Sequence, residues 1–237
     1  MSFKLAIANQ LALVLLFACG QGPPPDPAPV ESDYHPLVDG AWWRYEHSTW
    51  VETVTLTSTT LEGAPAFLMS DSPKPSDRLR SDAVVTKLNG RVSRMTKDEY
   101  LVSVGTEEAT LQSSVSYGVG FTRFNEDWAK RSVGYKESPE YVRVETPPHG
   151  QGKPPEERKH TFEILSLSDE QVTAAGTFDC IQIRRTKDWQ AEAEGVEASD
   201  AQTKMFWFAR GVGKVRELNE ETGSAESLVA FEIPESP

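Results

Sequence analysis

Thr49-Trp50-Val51-Glu52-Thr53-Val54-Thr55-Leu56-Thr57 decides the fold class. The stretch is rich in β-branched residues, which are stiff at χ1 and fit a pleated surface. It alternates Val51 and the threonines against Trp50, Val54 and Leu56, a period of two that predicts a long strand with one buried face. Downstream, Ala83-Val84-Val85-Thr86-Lys87-Leu88 and Arg91-Val92-Ser93-Arg94-Met95 flank Asn89-Gly90, a dipeptide suited to the positive φ angles of a two-residue hairpin turn. Further strands are expected at 64–70, 99–104, 113–124, 140–145, 160–167, 177–187, 203–209, 213–218 and 227–233.

Helical periodicity is scarce. Glu126 to Arg131 and Asp188 to Ala201 have room for a turn or two, but neither sustains an apolar i, i+3, i+4 stripe. Successive strands with short connections imply a mainly β domain built on a strongly curved antiparallel sheet, a half-barrel or open barrel with little helix. A β-sandwich is the alternative. No repeat of 20 to 50 residues is present, which removes propellers and solenoids.

The 237-residue chain carries 24 Lys and Arg against 36 Asp and Glu. Near its start, Lys4 precedes the apolar run Leu11 to Phe17, and Leu16-Phe17-Ala18-Cys19 resembles the lipobox at which bacteria cleave a lipoprotein precursor and acylate the new N-terminal cysteine. An uncleaved membrane span would need about 18 or more apolar residues, and Asn9 and Gln10 interrupt this run. Residues 1–18 are therefore read as a signal peptide and Cys19 as the lipidation site. Cleavage removes Lys4, leaving 23 basic against 36 acidic residues and a formal charge of −13. That balance opposes binding to nucleic acid or to anionic headgroups, so contact with the membrane falls to the lipid. The resemblance implies a diacylglyceryl group, often with a third chain such as palmitate, and two or more chains hold firmly.

Gly20 to Pro36 holds six prolines and two glycines, the composition of an extended tether at about 3.1 Å per residue. The organisation expected is a signal peptide over 1–18, a lipidated cysteine and tether over 19–36, and one β-rich domain over 37–237. Gly20 follows the cysteine where many enterobacterial lipoproteins kept in the inner membrane carry Asp. By that resemblance the cell envelope is the location and the outer membrane is favoured over the inner. Cys180 has no partner once Cys19 is acylated, and its strand setting reads as a buried structural thiol.

No motif for catalysis, metal or nucleotide stands out. His35, His47, His149 and His160 form no ligand spacing, and Asp188, Glu192, Glu194, Glu197 and Asp200 lack the order of a calcium loop. Pro147 to Pro155 and Gly211-Val212-Gly213-Lys214 both fail the P-loop pattern. Glu46, His47 and Glu52 are an isolated cluster of the kind frequent on strand faces. No cofactor, metal or catalytic residue is expected, and the chain is not read as an enzyme.

Three blocks carry a resemblance. Tyr34-His35-Pro36-Leu37-Val38-Asp39-Gly40-Ala41-Trp42-Trp43-Arg44-Tyr45, Gly176-Thr177-Phe178-Asp179-Cys180, and Phe206 to Val215 are similar to segments of β-rich envelope lipoproteins of the myxobacterial type. The resemblance implies a fold and a location, and no enzymatic activity. The expected function is a non-enzymatic structural or protein-interaction role in the envelope, with other envelope proteins as partners. The alternative is a periplasmic carrier or chaperone of a lipid or hydrophobic ligand, with Trp43, Tyr45, Trp50, Phe206 and Phe208 lining its apolar face.

Overall fold

The structure is a computed structural model and describes residues 33–106, 108–188 and 202–235. The signal peptide, Cys19, most of the tether and the acidic stretch after Asp188 lie outside the described residues.

Thirteen strands follow one another: β1 (Trp42–Glu46), β2 (Val51–Leu61), β3 (Ala64–Asp71), β4 (Leu79–Leu88), β5 (Arg91–Val102), β6 (Ala109–Asn125), β7 (Lys136–Glu137), β8 (Glu140–Thr146), β9 (Glu156–Thr173), β10 (Gly176–Asp188), β11 (Gln202–Ala209), β12 (Gly213–Asn219) and β13 (Ala225–Glu232). A 3₁₀ turn at Glu126–Lys130 is the one helical element among the described residues, on the segment expected to hold a turn. Asn89 and Gly90 take φ of 51° and 75°, the left-handed pair that the hairpin between β4 and β5 requires.

All pairings are antiparallel and join the strands in the order β10-β11-β12-β13-β1-β2-β3-β4-β5-β6-β8-β9. β9 then pairs with β10, so the curved sheet continues until its two edges meet and twelve strands close into a barrel. β7 adds a short thirteenth strand on β9. Closure removes the unpaired edges that an open sheet would expose. On β2 the alternation holds through Thr57, with Val54 and Leu56 buried and Thr55 and Thr57 exposed, and from Ser58 to Thr60 every residue is exposed. A lipid-spanning barrel presents apolar residues outward; β2 presents threonines.

Tyr34, His35 and Pro36, at the end of the proline-rich segment, are buried. The folded part thus begins by Asp33, four residues before the expected boundary. Lys87 Nζ holds both Asp33 (2.8 Å) and Glu126 (3.0 Å). The Tyr34 amide donates to Glu126, and the Gly211 amide donates to the Asp33 carbonyl at 2.7 Å. Lys87, Glu126 and Gly211 lie at the same end of their strands, so this segment crosses and plugs that end of the barrel. The Tyr34 ring packs on Phe124 (5.8 Å) and His35 on Phe208 (6.0 Å).

The tip of the β9–β10 hairpin covers the outer wall. Trp207 Nε1 donates to Asp169 at 2.6 Å, Arg216 lies over the Trp207 ring, and Phe178 meets Phe231 edge-on. Beneath it Cys180 is 1% exposed, and burial pushes its thiol up to about 12, the behaviour of a packing residue.

Candidate functional site

The barrel encloses a cavity of about 230 Å³. At the plugged end it is lined by His35, Trp43, Phe208 and Gly213, and further along by Tyr45, Val54, Met69, Phe121 and Phe206. Trp43 is fixed by its indole N–H, which donates to the Val212 carbonyl at 2.6 Å, and Tyr45 by its hydroxyl, which donates to the Lys214 carbonyl at 2.9 Å. Of the five aromatics expected on a ligand face, Trp43, Tyr45, Phe206 and Phe208 line this cavity. Trp50 does not. It precedes β2 in the turn after β1, where strand alternation no longer governs direction, and stacks on His47 with centroids 4.1 Å apart.

The remaining lining is charged, with five cations, Arg94, Arg123, Arg185, Lys204 and Lys214, facing three carboxylates, Glu52, Asp71 and Glu217. This excess of positive charge sits inside a chain whose formal charge is −12. Strand pairing explains the grouping. Arg185 lies directly opposite Lys204, and Phe206 opposite both Ile183 and Glu217, so charged residues continue the inward-facing rows begun by Ile181, Ile183, Phe206 and Phe208.

Two irregularities add the rest. Between β5 and β6, Val92 pairs with Phe124 but Ser93 pairs with Thr122, leaving Arg123 as an extra residue. Between β11 and β12, Trp207 pairs with Arg216 and Phe208 with Lys214, leaving Val215 over. Such bulges re-aim side chains. Here the second brings Lys214 into the lumen with Glu217, while Arg123, beside the first, lines it with Phe121. Strict alternation from Glu217 assigns Lys214 to the outer face, whereas Arg123 shares the parity of Phe121. The signal that was present is a charged residue on the apolar parity of a strand: Glu52 with Val54 and Leu56, Arg185 with Ile181 and Ile183, Lys204 with Phe206 and Phe208.

The lysines are neutralised and the arginines are not. Lys204 meets Glu217 at 2.5 Å, and Lys214 meets Glu217 at 3.1 Å and also bonds Glu226. Burial alone would raise the Glu217 carboxyl, but the ammonium groups of Lys214 and Lys204 outweigh it and hold the group well below the usual range. Among the described residues, the guanidinium groups of Arg94, Arg123 and Arg185 form no hydrogen bond and no salt bridge, and Nε of Arg94 and of Arg185 is buried. Arg185 rests over Phe206 (4.8 Å) and Phe121 (5.4 Å), and Arg94 over Phe121 (5.9 Å). Burial, with Arg94 nearby, lowers Arg123 to about 10.

At the end opposite the plug, Glu52 is pushed up to about 7 by burial and by the neighbouring Asp71 carboxylate. His47 Nε2 lies 3.5 Å from Glu52 and 3.6 Å from Glu226, and burial followed by Lys214 lowers its pKa. Potential ligand atoms of His47, Glu52 and Glu226 fall within 4.8 Å of one another, the grouping among the described residues that could hold a metal ion. The Lys214 ammonium already sits on Glu226 as a resident cation. Glu46 points outward, away from this group. His160 is buried elsewhere, against Tyr141, Phe121 and Phe162, where burial drives its pKa down to about 3.

Fold and lining together define a closed antiparallel barrel with an internal amphipathic cavity. Comparison with solved structures finds a candidate lipoprotein of Parabacteroides distasonis ATCC 8503, at a TM-score of 0.48 and 14% identity over 85% of this chain and 99% of that one. A candidate exported protein with a YmcC-like fold from Bacteroides fragilis NCTC 9343 matches at 0.44 and 10% identity, over 85% of this chain and 99% of that one. At these scores neither likeness assigns a family or an activity. No protein-family model and no curated protein matches the chain.

Proposed function

We propose that the chain is a lipid-anchored protein of the bacterial cell envelope that carries a small amphipathic molecule in its barrel, with no catalytic step. The anchor is assigned to Cys19 from the lipobox-like Leu16-Phe17-Ala18-Cys19, and Gly20 favours the outer membrane. The observation that carries the binding role is the cavity itself, which is lined by both aromatic and charged side chains. An apolar void of about 150 Å³ takes up benzene, whereas sites for drug-sized ligands run from about 300 Å³ upward. A cavity of about 230 Å³ therefore suits roughly ten non-hydrogen atoms, and a two-chain phospholipid is too large.

Native mass spectrometry of the chain carrying Cys19→Ser, before and after organic extraction, tests the binding role. A discrete small mass lost on extraction supports it. A clean apo mass, together with no uptake of added C8 compounds, contradicts it. Metabolic labelling with a palmitate analogue tests the anchor, and undiminished label on Cys19→Ser would remove it.

A further inference from the structure

We infer that the barrel lumen is an anion site, in which Arg94, Arg123 and Arg185 bind the carboxylate or phosphate head of a single-chain amphiphile whose tail lies against Trp43, Phe206 and Phe208. The inference rests on the carrier reading above and adds the chemical class of the cargo.

Its basis is an incomplete charge account. Removing an ion from water costs several kcal/mol even after relaxation, so buried charges are normally paired. In this barrel Lys204 and Lys214 share Glu217, whereas three partly buried arginines lining the same space have no carboxylate within salt-bridge distance. Nε of Arg94 and Nε of Arg185 are buried donors with no acceptor. A guanidinium cannot shed its charge to escape the cost, since Arg stays protonated in proteins. Its fork of donors matches a carboxylate or phosphate, and planar stacking on Phe206 and Phe121 leaves the N–H edge of Arg185 free to bind.

None of the three lining carboxylates bonds an arginine directly. Glu217 forms its salt bridges with the two lysines and reaches Arg123 and Arg185 only at longer range, as Asp71 does Arg123, and Glu52, Asp71 and Glu217 make no salt bridge to the arginines. The position of the charges also sets polarity. The plugged end offers His35, Trp43 and Phe208, with His35 kept neutral by burial and by Arg123. Strand pairing sets Arg185 opposite Lys204, two residues beyond Phe206 and away from the plug. An amphiphile whose tail lies toward Trp43 and Phe208 therefore places its anionic head at Arg185.

The test uses isothermal titration of the Cys19→Ser chain with octanoate, hexyl phosphate, octan-1-ol and octylammonium. The inference predicts that octanoate or hexyl phosphate binds at least about tenfold more tightly than octan-1-ol, the effect of one charge-assisted hydrogen bond, and that octylammonium is rejected. The preferred head tells carboxylate from phosphate. Arg185→Met and Arg123→Met should each weaken the anion by about tenfold or more and leave octan-1-ol unchanged. The melting temperature of each ligand-free variant should equal or exceed that of the parent, because a partly buried charge without a salt bridge has been removed. Equal affinity for octan-1-ol and octanoate would overturn the anion site while leaving the carrier reading intact. Failure of all four probes to bind would overturn both. If a variant does not fold, the comparison of the four probes on the parent chain still decides.

Discussion

Replacing Glu52 by Gln should stabilise the protein at pH 8 and leave it nearly unchanged at pH 4. Glu52 projects inward beside Val54 and Leu56, its side chain 13% exposed, and burial followed by Asp71 raises its pKa from 4.5 to about 7. The folded state therefore holds this proton more tightly than the unfolded chain does. Between pH 4.5 and 7 the unfolded chain gives the proton up first, so stability falls as pH rises through that window and is fully reduced above it. At 1.36 kcal/mol per tenfold change in acidity, the span corresponds to about 3 kcal/mol. For a domain of this size that equals roughly 6–12 °C in melting temperature. Gln keeps the shape and cannot ionise, so urea denaturation at pH 4, 5.5 and 8 should show a parent-to-variant gap that opens only at the higher pH. A variant less stable than the parent at pH 8 would refute the argument, and would mean that Glu52 is a net favourable partner of Lys214.

Three further outcomes follow from packing and titration. Trp43→Phe removes the donor to the buried Val212 carbonyl and should cost about 1–3 kcal/mol in urea denaturation. Gly120 has φ +98°, and a Cβ there would stand 2.8 Å from Ser93 Cβ and 2.9 Å from Met95 Sδ; Gly120→Ala should therefore cost about 1–3 kcal/mol, read as an earlier thermal midpoint. The Cys180 thiol, pushed up to about 12, should resist a disulfide reagent in the native protein at pH 8 and react rapidly in urea.

Much of the scaffold was legible because strand signals are local. The alternation on Val51 to Thr57 and the Asn89-Gly90 turn depend on near neighbours, and both survive in the fold. Closure was not legible, because whether the edges of a curved sheet meet depends on accumulated twist and on the long hairpin of β9 and β10. The candidate site was half visible. Trp43, Tyr45, Phe206 and Phe208 lie on regular strand segments, whereas Trp50 lies in a turn, where alternation says nothing. Lys214 reaches the lumen through a bulge; Gly118-Val119-Gly120, with φ of 51° and 98° at its glycines, was the local sign of irregular pairing on β6. Proline-rich composition also concealed Tyr34-His35-Pro36, whose burial rests on contacts with Phe124, Phe208 and Glu126 distant in sequence.

The most direct test of the lumen as a binding site is a nuclear magnetic resonance titration of the Cys19→Ser chain with octanoate, following arginine Nε–H and backbone amide signals. The account predicts shifts concentrated on Arg94, Arg123 and Arg185 and on the amides of Phe206 and Phe208. Shifts confined to the outer wall around Thr55 and Thr57, or none at saturating octanoate, would contradict it.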